Sequence, residues 1–325
     1  MSRHNGIATS DVSRAGILRA GVVGIGAFGR HHANKYAAAD GVELVGVADP
    51  GIEARRRAMA QLGVPTMADW RDLLGKVDIV SICSPAVTHA EIVRAFLNAG
   101  ADVLVEKPIA TDLDEADDLI ALAEKMGRVL TVGHQERFVF AQTGLLDYAE
   151  VPLSIECWRE GPWTGRGTDV SVVLDLMIHD LDLVHRLIPG DFSAVHAAGS
   201  TVRSRYSDDV SAMLSFANGS VAKLQASRVA GERSRGMRAI YADGMVEFDF
   251  IARTVKNTTP RPLRPLELDD PLGASVTAFI AAARAGAHSL VLPEEARAAL
   301  CSAVAIDEAV APAAFRAPRD VAVHA

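Results

Sequence analysis

Between residues 17 and 132, short runs of apolar residues alternate with amphipathic, helix-like segments. The runs are apolar throughout, as expected of strands that are buried on both faces. Such strands, alternating with helices, predict a parallel sheet with right-handed crossovers and therefore a doubly wound α/β domain. The predicted strands cover residues 17–24, 43–48, 78–83, 102–105 and 129–132, and the predicted helices cover 27–38, 52–62, 86–99 and 113–126.

The pattern changes beyond about residue 138. Asn218-Gly219 and Asp243-Gly244 each separate two strand-like runs, and such dipeptides favour hairpins in which both turn residues adopt positive φ. Adjacent hairpins predict an α+β domain with a largely antiparallel sheet, one face of which can stay open. Strands are predicted over residues 153–158, 210–216, 220–226, 237–241 and 245–250, helices over 172–187, 274–285 and 293–309, and a loop over 257–271.

The composition argues against several classes of protein. Lys and Arg total 33 and Asp and Glu total 41, so the net charge of −8 argues against a nucleic-acid-binding protein. Apolar runs fall short of the roughly 18 residues that a membrane span needs, and no secretory signal is expected. Cys83, Cys157 and Cys301 lie far apart without metal-binding spacing, so free thiols, no metal and a cytoplasmic location are expected.

A glycine-rich motif, Gly24-Ile25-Gly26-Ala27-Phe28-Gly29, follows the first predicted strand and opens the first predicted helix. In this position Gly24 permits a tight turn, Gly26 lets the backbone approach a pyrophosphate, and Gly29 allows close packing of helix on strand. The N–H groups at the start of the helix, with Ala27 and Phe28, would then contact the phosphates. The motif therefore predicts a Rossmann-type dinucleotide site.

Asp49 ends the second predicted strand, where a carboxylate accepts hydrogen bonds from the adenosine ribose of NAD. A carboxylate there repels the 2′-phosphate of NADP, so NAD is favoured as the cofactor. Arg55, Arg56 and Arg57 follow closely and could offset that repulsion, which keeps NADP open, or they could form the solvated face of the second helix. Asp49 could also be an ordinary turn residue at a strand end.

More cofactor contacts are expected at the carboxyl ends of the other parallel strands, because ligands of open α/β sheets bind there. Ser84 and Pro85 follow the third predicted strand, and His89 lies one turn further on. His89 could instead cap the helix that follows. These three residues are predicted to line the cofactor cleft.

The fourth predicted strand ends in Glu106-Lys107-Pro108. Pro108 favours an extended conformation at Lys107, and a lysine at this edge points into the cleft rather than into open solvent. Glu106 and Lys107 are therefore candidate cofactor contacts, and Lys107 is also a candidate substrate contact. Without further context, Lys107 could be a surface lysine.

The long helix predicted in the second half carries a candidate acid–base pair. Asp175 and His179 are spaced i, i+4, so both project from one face. A carboxylate beside an imidazole can orient the ring, fix its tautomer and raise its basicity. Oxidation of an alcohol needs a base for the hydroxyl proton, and a nearby ammonium stabilises the developing alkoxide. A histidine in an apolar helix could also be a core residue.

Together these motifs resemble the glucose–fructose oxidoreductase, inositol dehydrogenase and MocA (Gfo/Idh/MocA) family. The resemblance rests on the glycine motif, the strand-end Asp49, Glu106-Lys107-Pro108 and the Asp-Leu-Met-Ile-His-Asp run from Asp175, and it covers about residues 18–310. It implies an NAD(P)-dependent sugar or polyol oxidoreductase. It also implies that Lys107 polarises or binds the substrate, that Asp175 orients His179, and that His179 is the general base.

A narrower similarity, to the UDP-N-acetylglucosamine 3-dehydrogenase branch of that family, rests on residues 136–138, 159–166, 172–183 and 226–228. A nucleotide sugar carries a diphosphate, and arginine forks suit phosphate oxygens. Trp163 stands where that branch often has Phe, which alters the expected pocket. The candidates for diphosphate contacts, which could also be arginines on loops and strand faces, are Arg137, Arg159, Arg166 and Arg228.

We thus predict a flexible tail over residues 1–16, an NAD(P)-binding Rossmann domain over 17–138, and an α+β domain for substrate binding and oligomerisation over 139–325. Both halves are expected to contribute to one site, and the resemblance implies a homo-oligomer, a dimer or a tetramer. The predicted reaction is hydride transfer between a secondary hydroxyl of a sugar, free or UDP-linked, and the nicotinamide. One alternative is a non-catalytic dinucleotide-binding sensor or structural protein on the same fold. The other is an S-adenosylmethionine methyltransferase, which the antiparallel half disfavours.

Overall fold

The computed structural model describes residues 16–310, so the tail predicted over residues 1–16 lies, but for its last residue, outside the described residues. The chain forms two compact units. Unit 1 combines residues up to Leu145 with Leu266–Ala298, and unit 2 combines Leu146–Pro265 with residues from Ala299 onward. No helix between residues 16 and 310 is long and apolar enough to cross a bilayer.

Unit 1 contains a six-stranded parallel sheet in the order β3-β2-β1-β4-β5-β6. The order reverses between β1 and β4, the position at which doubly wound sheets bind dinucleotides. The predicted doubly wound architecture is therefore confirmed. The elements are β1 (Leu18–Val23), α1 (Gly29–Ala38), β2 (Val42–Ala48), α2 (Ile52–Leu62), β3 (Thr66–Met67), β4 (Ile79–Ile82), α3 (His89–Asn98), β5 (Asp102–Val105), α4 (Leu113–Met126), β6 (Leu130–Val132) and α5 (Glu136–Thr143).

Unit 2 contains a seven-stranded sheet in the order β13-β12-β11-β7-β10-β9-β8. Neighbouring strands are antiparallel except β7 and β10, which run parallel, so the predicted largely antiparallel sheet is confirmed. A π-helical segment, Val173–Met177, leads into the helix beside this sheet. The elements are β7 (Ser154–Glu160), α6 (Ile178–Leu187), β8 (Phe192–Ser200), β9 (Asp209–Phe216), β10 (Val221–Ser227), β11 (Ser234–Tyr241), β12 (Gly244–Asp249) and β13 (Thr254–Asn257).

Two more helices, α7 (Pro271–Ala285) and α8 (Pro293–Val310), end the described chain. Helix α7 belongs to unit 1, where Val276, Phe279 and Ile280 join the same buried cluster as Leu18 and Val22 of β1. Unit 1 therefore includes a helix far beyond residue 138, because the apolar face of α7 is buried against the parallel sheet. That residues 17–138 bind the cofactor and residues 139–325 bind the substrate stays a prediction.

The hairpins lie where the two dipeptides predict them, between β9 and β10 and between β11 and β12. Their turns differ from the expected type, which needs positive φ at both residues. Gly219 and Gly244 have φ of 88° and 151°, but neither Asn218 nor Asp243 has a positive φ. Asn218 instead accepts a hydrogen bond from the N–H of Ser220 through its Oδ1, at 3.0 Å. The asparagine thus stabilises the turn through its side chain rather than through its backbone conformation.

Candidate active site

The glycine-rich loop joins β1 to α1 at the carboxyl edge of the parallel sheet. Gly24 has a φ of +81°, and a Cβ there would lie 2.6 Å from the backbone of Cys83 and Ser84. A Cβ on Gly29 would lie 1.7 Å from the carbonyl oxygen of Gly24, whereas a Cβ on Gly26 would meet nothing within 4 Å. These environments fit a tight turn, a close packing of helix on strand, and open space for a pyrophosphate, respectively.

Helix α1 begins at Gly29, so Ala27 and Phe28 form the turn that leads into it rather than its first residues. Phe28 is 55% exposed, which leaves this turn open to solvent. A helix N-terminus directly after an open glycine loop favours a bound phosphate, because its N–H groups and its dipole attract negative charge.

Asp49 lies directly after β2, and its carboxylate holds the glycine loop. Its Oδ2 accepts a hydrogen bond from the N–H of Ile25 at 2.8 Å, and its Oδ1 accepts one from the N–H of Gly51 at 2.7 Å. A carboxylate offers about four acceptor positions, so these bonds leave capacity for ribose hydroxyls. The turn role and the ribose role of Asp49 are therefore compatible.

The three arginines after Asp49 have different surroundings. Nη1 of Arg55 donates to the carbonyl oxygens of Asp49 and Pro50, at 2.7 and 2.8 Å. Arg56 forms a surface ion pair within α2, and Arg57 is exposed. Two of the three thus lie on the solvated face, and only Arg55 places a cation next to Asp49.

Ser84 and Pro85 follow β4, and the Ser84 hydroxyl lies 2.7 Å from that of Thr88. His89 is only 1% exposed. Its Nδ1 lies 2.7 Å from the carbonyl oxygen of Pro108, and its Nε2 lies 2.9 Å from that of Ser84. His89 therefore links two backbone segments of the candidate site, and its predicted place beside the cofactor stays a prediction.

Glu106-Lys107-Pro108 follows β5 directly, and the Lys107–Pro108 peptide bond is cis. The Glu106 carboxylate is buried, and its Oε1 lies 2.9 Å from Nε2 of His32 and 3.0 Å from Nε2 of Gln135. Lys107 is half-buried between two buried neighbours, so it is not a freely solvated surface lysine. The hydrogen-bond partners of Glu106 were not predicted from the sequence, although His32, on the buried face of α1, is a residue type that needs a polar partner when it is buried.

Asp175 lies on the segment that leads into α6, and His179 lies in the first turn of α6. The helix predicted over 172–187 is present, but Val173–Met177 is π-helical and only Ile178–Leu187 is α-helical. Residues four apart still share a face in this wider turn, and π turns are frequent at functional sites. Both side chains are half-buried, so they are accessible from solvent.

The Asp175 carboxylate lies against Gly167, which has a φ of +62°; a Cβ on this glycine would lie 2.2 Å from Oδ2 of Asp175. The N–H of Asp175 donates to the carbonyl oxygen of Ser171 at 2.9 Å, and the Ser171 hydroxyl donates to Asp307 at 2.6 Å. Burial raises the pKa of Asp307. The loop before the π turn is thus shaped around Asp175, and the orientation of His179 by Asp175 stays a prediction.

Arg137 and Arg159 are both 2% exposed and form ion pairs inside their own units. Arg159 donates through Nε and Nη2 to the two carboxylate oxygens of Asp180, at 3.1 and 2.8 Å. Arg137 donates through Nη1 to Glu295. Because both guanidinium groups form ion pairs with carboxylates, the geometry does not support their predicted role as diphosphate ligands.

Arg228 is also buried and holds the loop that surrounds Asp175. It donates through Nε to Asp208 at 2.8 Å, through Nη1 to the carbonyl oxygen of Gly167 at 2.5 Å, and through Nη2 to that of Val170 at 3.0 Å. Burial raises the pKa of Asp208, but hydrogen bonds from backbone N–H groups of residues 202–204 and from a serine hydroxyl lower it well below its usual range. Arg228 is thus part of the framework, and exposed Arg166 is the remaining candidate for a diphosphate contact.

The cysteines are free thiols, as predicted. Burial raises the pKa of Cys83 and of Cys157. Within residues 16–310, no group of three or more His, Cys, Asp or Glu side chains is placed to hold a metal ion.

Family models match both halves of the chain. A model described as an oxidoreductase family with an NAD-binding Rossmann fold matches residues 18–134, and one described as the GFO/IDH/MocA C-terminal domain matches residues 144–247. The chain belongs to the Gfo/Idh/MocA family. The resemblance inferred from its motifs is thereby confirmed, and the methyltransferase alternative is wrong.

Similar proteins of known activity include a UDP-N-acetylglucosamine 3-dehydrogenase from Acidithiobacillus ferrooxidans, 38% identical over 240 residues, which are 73% of this chain and 76% of that enzyme. A solved structure of that enzyme matches with a TM-score of 0.83 at 33% identity, covering 90% of this chain and 98% of the other. The WlbA dehydrogenase from Bordetella pertussis, solved with NADH and UDP-GlcNAcA, matches with a TM-score of 0.79 at 18% identity, covering 91% and 97%. This last likeness shows the fold alone.

Membership of this family shows that unit 1 contains an NAD-binding Rossmann domain and that the chain is an oxidoreductase. The glycine loop fits the cofactor, because the position at which the pyrophosphate approaches is open while the neighbouring glycines are tightly packed.

Two glycine substitutions are expected to separate cofactor binding from folding. Gly29→Ala should lower the free energy of unfolding by about 2–3 kcal/mol, because its Cβ overlaps the carbonyl oxygen of Gly24. Gly26→Ala should leave thermal stability unchanged but weaken NADH binding about 10-fold or more, because its Cβ fills the open approach. Thermal denaturation and nicotinamide fluorescence measure the two effects. Unchanged NADH affinity in Gly26→Ala would contradict this placement of the pyrophosphate.

Proposed function

We propose that this oxidoreductase transfers a hydride between a secondary hydroxyl of a UDP-linked sugar and NAD. The observation that carries the proposal is the 38% identity, over 73% of the chain, to a UDP-N-acetylglucosamine 3-dehydrogenase. The chain also has a strand-end lysine in unit 1, and in unit 2 an aspartate on a π turn with a histidine four residues later in α6, which are the groups that alcohol oxidation needs.

Unit 1 is proposed to hold the cofactor, which accepts or supplies the hydride when it is bound. The glycine loop would bind the pyrophosphate, and the Asp49 carboxylate would accept hydrogen bonds from the adenosine ribose. Asp49 also favours NAD over NADP, although the neighbouring Arg55 leaves NADP as a weaker alternative. The residues proposed to form this site are Gly24, Gly26, Ala27, Phe28, Gly29, Asp49, Ser84, Pro85, Glu106 and Lys107.

The chemical step is assigned to three side chains. His179 removes the hydroxyl proton as hydride leaves the carbon, and Asp175 holds the imidazole in the tautomer that can accept it. The Lys107 ammonium binds the same hydroxyl oxygen and stabilises its negative charge as the proton leaves. Arg166 is the proposed contact for the diphosphate, since its guanidinium is exposed.

A substrate panel tests this proposal. With NAD⁺, we expect NADH formation from UDP-N-acetylglucosamine, with kcat/KM about 100-fold above that for free N-acetylglucosamine, because binding energy from the remote nucleotide contributes to the rate. A free inositol serves as the polyol control. Faster turnover of the inositol than of any UDP-sugar would contradict the nucleotide-sugar assignment. NADH binding without turnover of any sugar would favour the non-catalytic sensor.

The open face of the sheet in unit 2 is proposed to pair with a second copy of this chain. Trp158 and Met213 contribute apolar surface to a shallow cavity of about 660 Å³ on this face, and Met213 is 37% exposed. Apolar patches of this kind are usually covered by a partner. We expect light scattering to give the mass of a dimer or tetramer, and Met213→Glu to shift it toward the monomer. Ile251→Glu, at an exposed turn position, is the control. A wild-type monomer at micromolar concentration would contradict the proposal.

A cytoplasmic location is also proposed, and the cysteines support it. All three are free thiols, and secreted proteins of oxidising compartments usually pair theirs. Fractionation of the native host, with detection of the chain in the soluble fraction, tests this location.

A further inference from the structure

A buried polar cluster in unit 1 connects the glycine-loop helix to the segment that carries Lys107. His32 lies on α1 and is 0% exposed. Its Nε2 lies 2.9 Å from Oε1 of Glu106, and its Nδ1 lies 3.0 Å from the hydroxyl of Ser81 on β4. The Ser81 hydroxyl lies in turn 2.8 Å from that of Tyr36, one turn further along α1. The imidazole is thus fixed at both nitrogens, by a residue of β4 and by the residue that directly follows β5.

The surroundings of Glu106 are shaped for its carboxylate. Besides His32, Nε2 of Gln135 donates to the same Oε1 at 3.0 Å. A Cβ on Gly133 would lie 2.7 Å from Oε1, so only a glycine leaves room for the carboxylate there. Helix α1 and the loop between β6 and α5 therefore fix the residue that directly precedes Lys107.

The two side chains satisfy each other by hydrogen bonding inside the unit. Burial lowers the pKa of His32, whereas the neighbouring Cys83 and the Glu106 carboxylate raise it. Nε2 of the imidazole donates to the carboxylate, and Nδ1 faces the Ser81 hydroxyl. A buried carboxylate needs such a partner, since an unpaired buried charge is strongly unfavourable.

The other side of Lys107 is fixed as well, because the carbonyl oxygen of Pro108 lies 2.7 Å from Nδ1 of His89. The residues on both sides of the lysine, Glu106 through its carboxylate and Pro108 through its carbonyl oxygen, are thus each hydrogen-bonded to a buried histidine. Of the two, only His32 lies on the helix that follows the glycine loop, so it connects the lysine segment to the pyrophosphate-binding element.

We propose that His32 is a positioning residue for Lys107, acting through its hydrogen bond to Glu106. This inference rests on the proposed function, in which Lys107 stabilises the developing alkoxide. Groups that hold a catalytic side chain in place typically change rates by about 10- to 100-fold when they are lost. If His32 only stabilised the fold, its loss would not depend on the residue at position 107.

A double-mutant cycle makes that distinction, with UDP-N-acetylglucosamine and NAD⁺ as substrates. His32→Leu is expected to lower kcat about 10- to 100-fold, with KM for the sugar and Kd for NADH within about 3-fold of wild type. In a Lys107→Met background, the same substitution is expected to lower single-turnover NADH formation by less than about 3-fold. His31→Leu, on the exposed face of α1, is the matched control and should stay within about 2-fold of wild type.

A second variant covers the case in which His32→Leu does not fold. His32→Gln keeps a donor toward Glu106 and an acceptor for the Ser81 hydroxyl, and it should lower kcat about 3- to 10-fold with lysine at position 107 and less than about 2-fold with methionine. Equal losses in both backgrounds would overturn the inference and leave the proposed function intact. Wild-type kcat in Lys107→Met alone would instead overturn the proposed role of the lysine.

Discussion

Replacing His179 by alanine is expected to lower kcat by about 100- to 10,000-fold, because the hydroxyl proton loses its base while hydride leaves the carbon. The Kd for NADH should change by less than about 3-fold, since every proposed cofactor contact lies in unit 1. His179 is half-buried at the start of α6, so the substitution removes little core packing. Steady-state rates and nicotinamide fluorescence give the two quantities.

Two further variants identify what His179 supplies. His179→Gln keeps most of the side-chain volume but cannot take up a proton at neutral pH, so its loss should match that of alanine. Arg186→Ala, at an exposed position of the same helix, should stay within about 2-fold of wild type. If His179→Gln kept more than about half of the wild-type kcat, His179 would not be the base and another residue would have to take the proton.

The parts of the candidate site that could be predicted depend on residues close together in sequence. The glycine loop needs only a strand, a helix and residues 24–29, and each glycine lies in the environment that its position predicts. The order of unit 1 follows from buried strands and right-handed crossovers, which restrict a chain of this pattern to few topologies. Short motifs and local periodicity therefore suffice for the cofactor half.

The parts that could not be predicted depend on partners that are distant in sequence. Arg159 and Arg228 look like free cations in the sequence, yet buried carboxylates 21 and 20 residues away pair with them, and the partner of Arg137 lies 158 residues away. A guanidinium has the same local pattern whether it binds a phosphate or a buried carboxylate. Only the fold reveals which of the two applies.

Strand β8 and the π turn before α6 were not predicted, because neither has a distinctive pattern of apolar residues. Strand β8 is an edge strand that is largely exposed and rich in Ala and Ser, so it lacks the period of two that marks a half-buried strand. The π turn at Val173–Met177 has the same apolar pattern as an α-helix. One extra residue in a turn changes the backbone hydrogen bonds but hardly changes the spacing of apolar residues. The sequence therefore predicts the helix but not the π turn within it.

Replacing Lys107 by methionine is expected to lower kcat/KM by about 100- to 1,000-fold, because the developing alkoxide loses the ammonium that stabilises it. Methionine keeps a long, flexible side chain without charge, so the change is electrostatic rather than steric. The lysine follows a buried strand and lies between two buried neighbours, and the surrounding backbone is therefore expected to stay in place. Lys125→Met, on the exposed surface of α4, should remain within about 2-fold of wild type.

Lys107→Arg then separates charge from shape. Arginine keeps the positive charge, but its planar fork cannot reproduce the compact ammonium, so we expect kcat/KM between the wild-type and methionine values, about 10-fold below wild type. Equal activities of the arginine and methionine variants would show that the geometry of the ammonium, rather than its charge, carries the effect. A methionine variant with wild-type kcat/KM would remove Lys107 from the mechanism, and stabilisation of the alkoxide would then have to come from another donor.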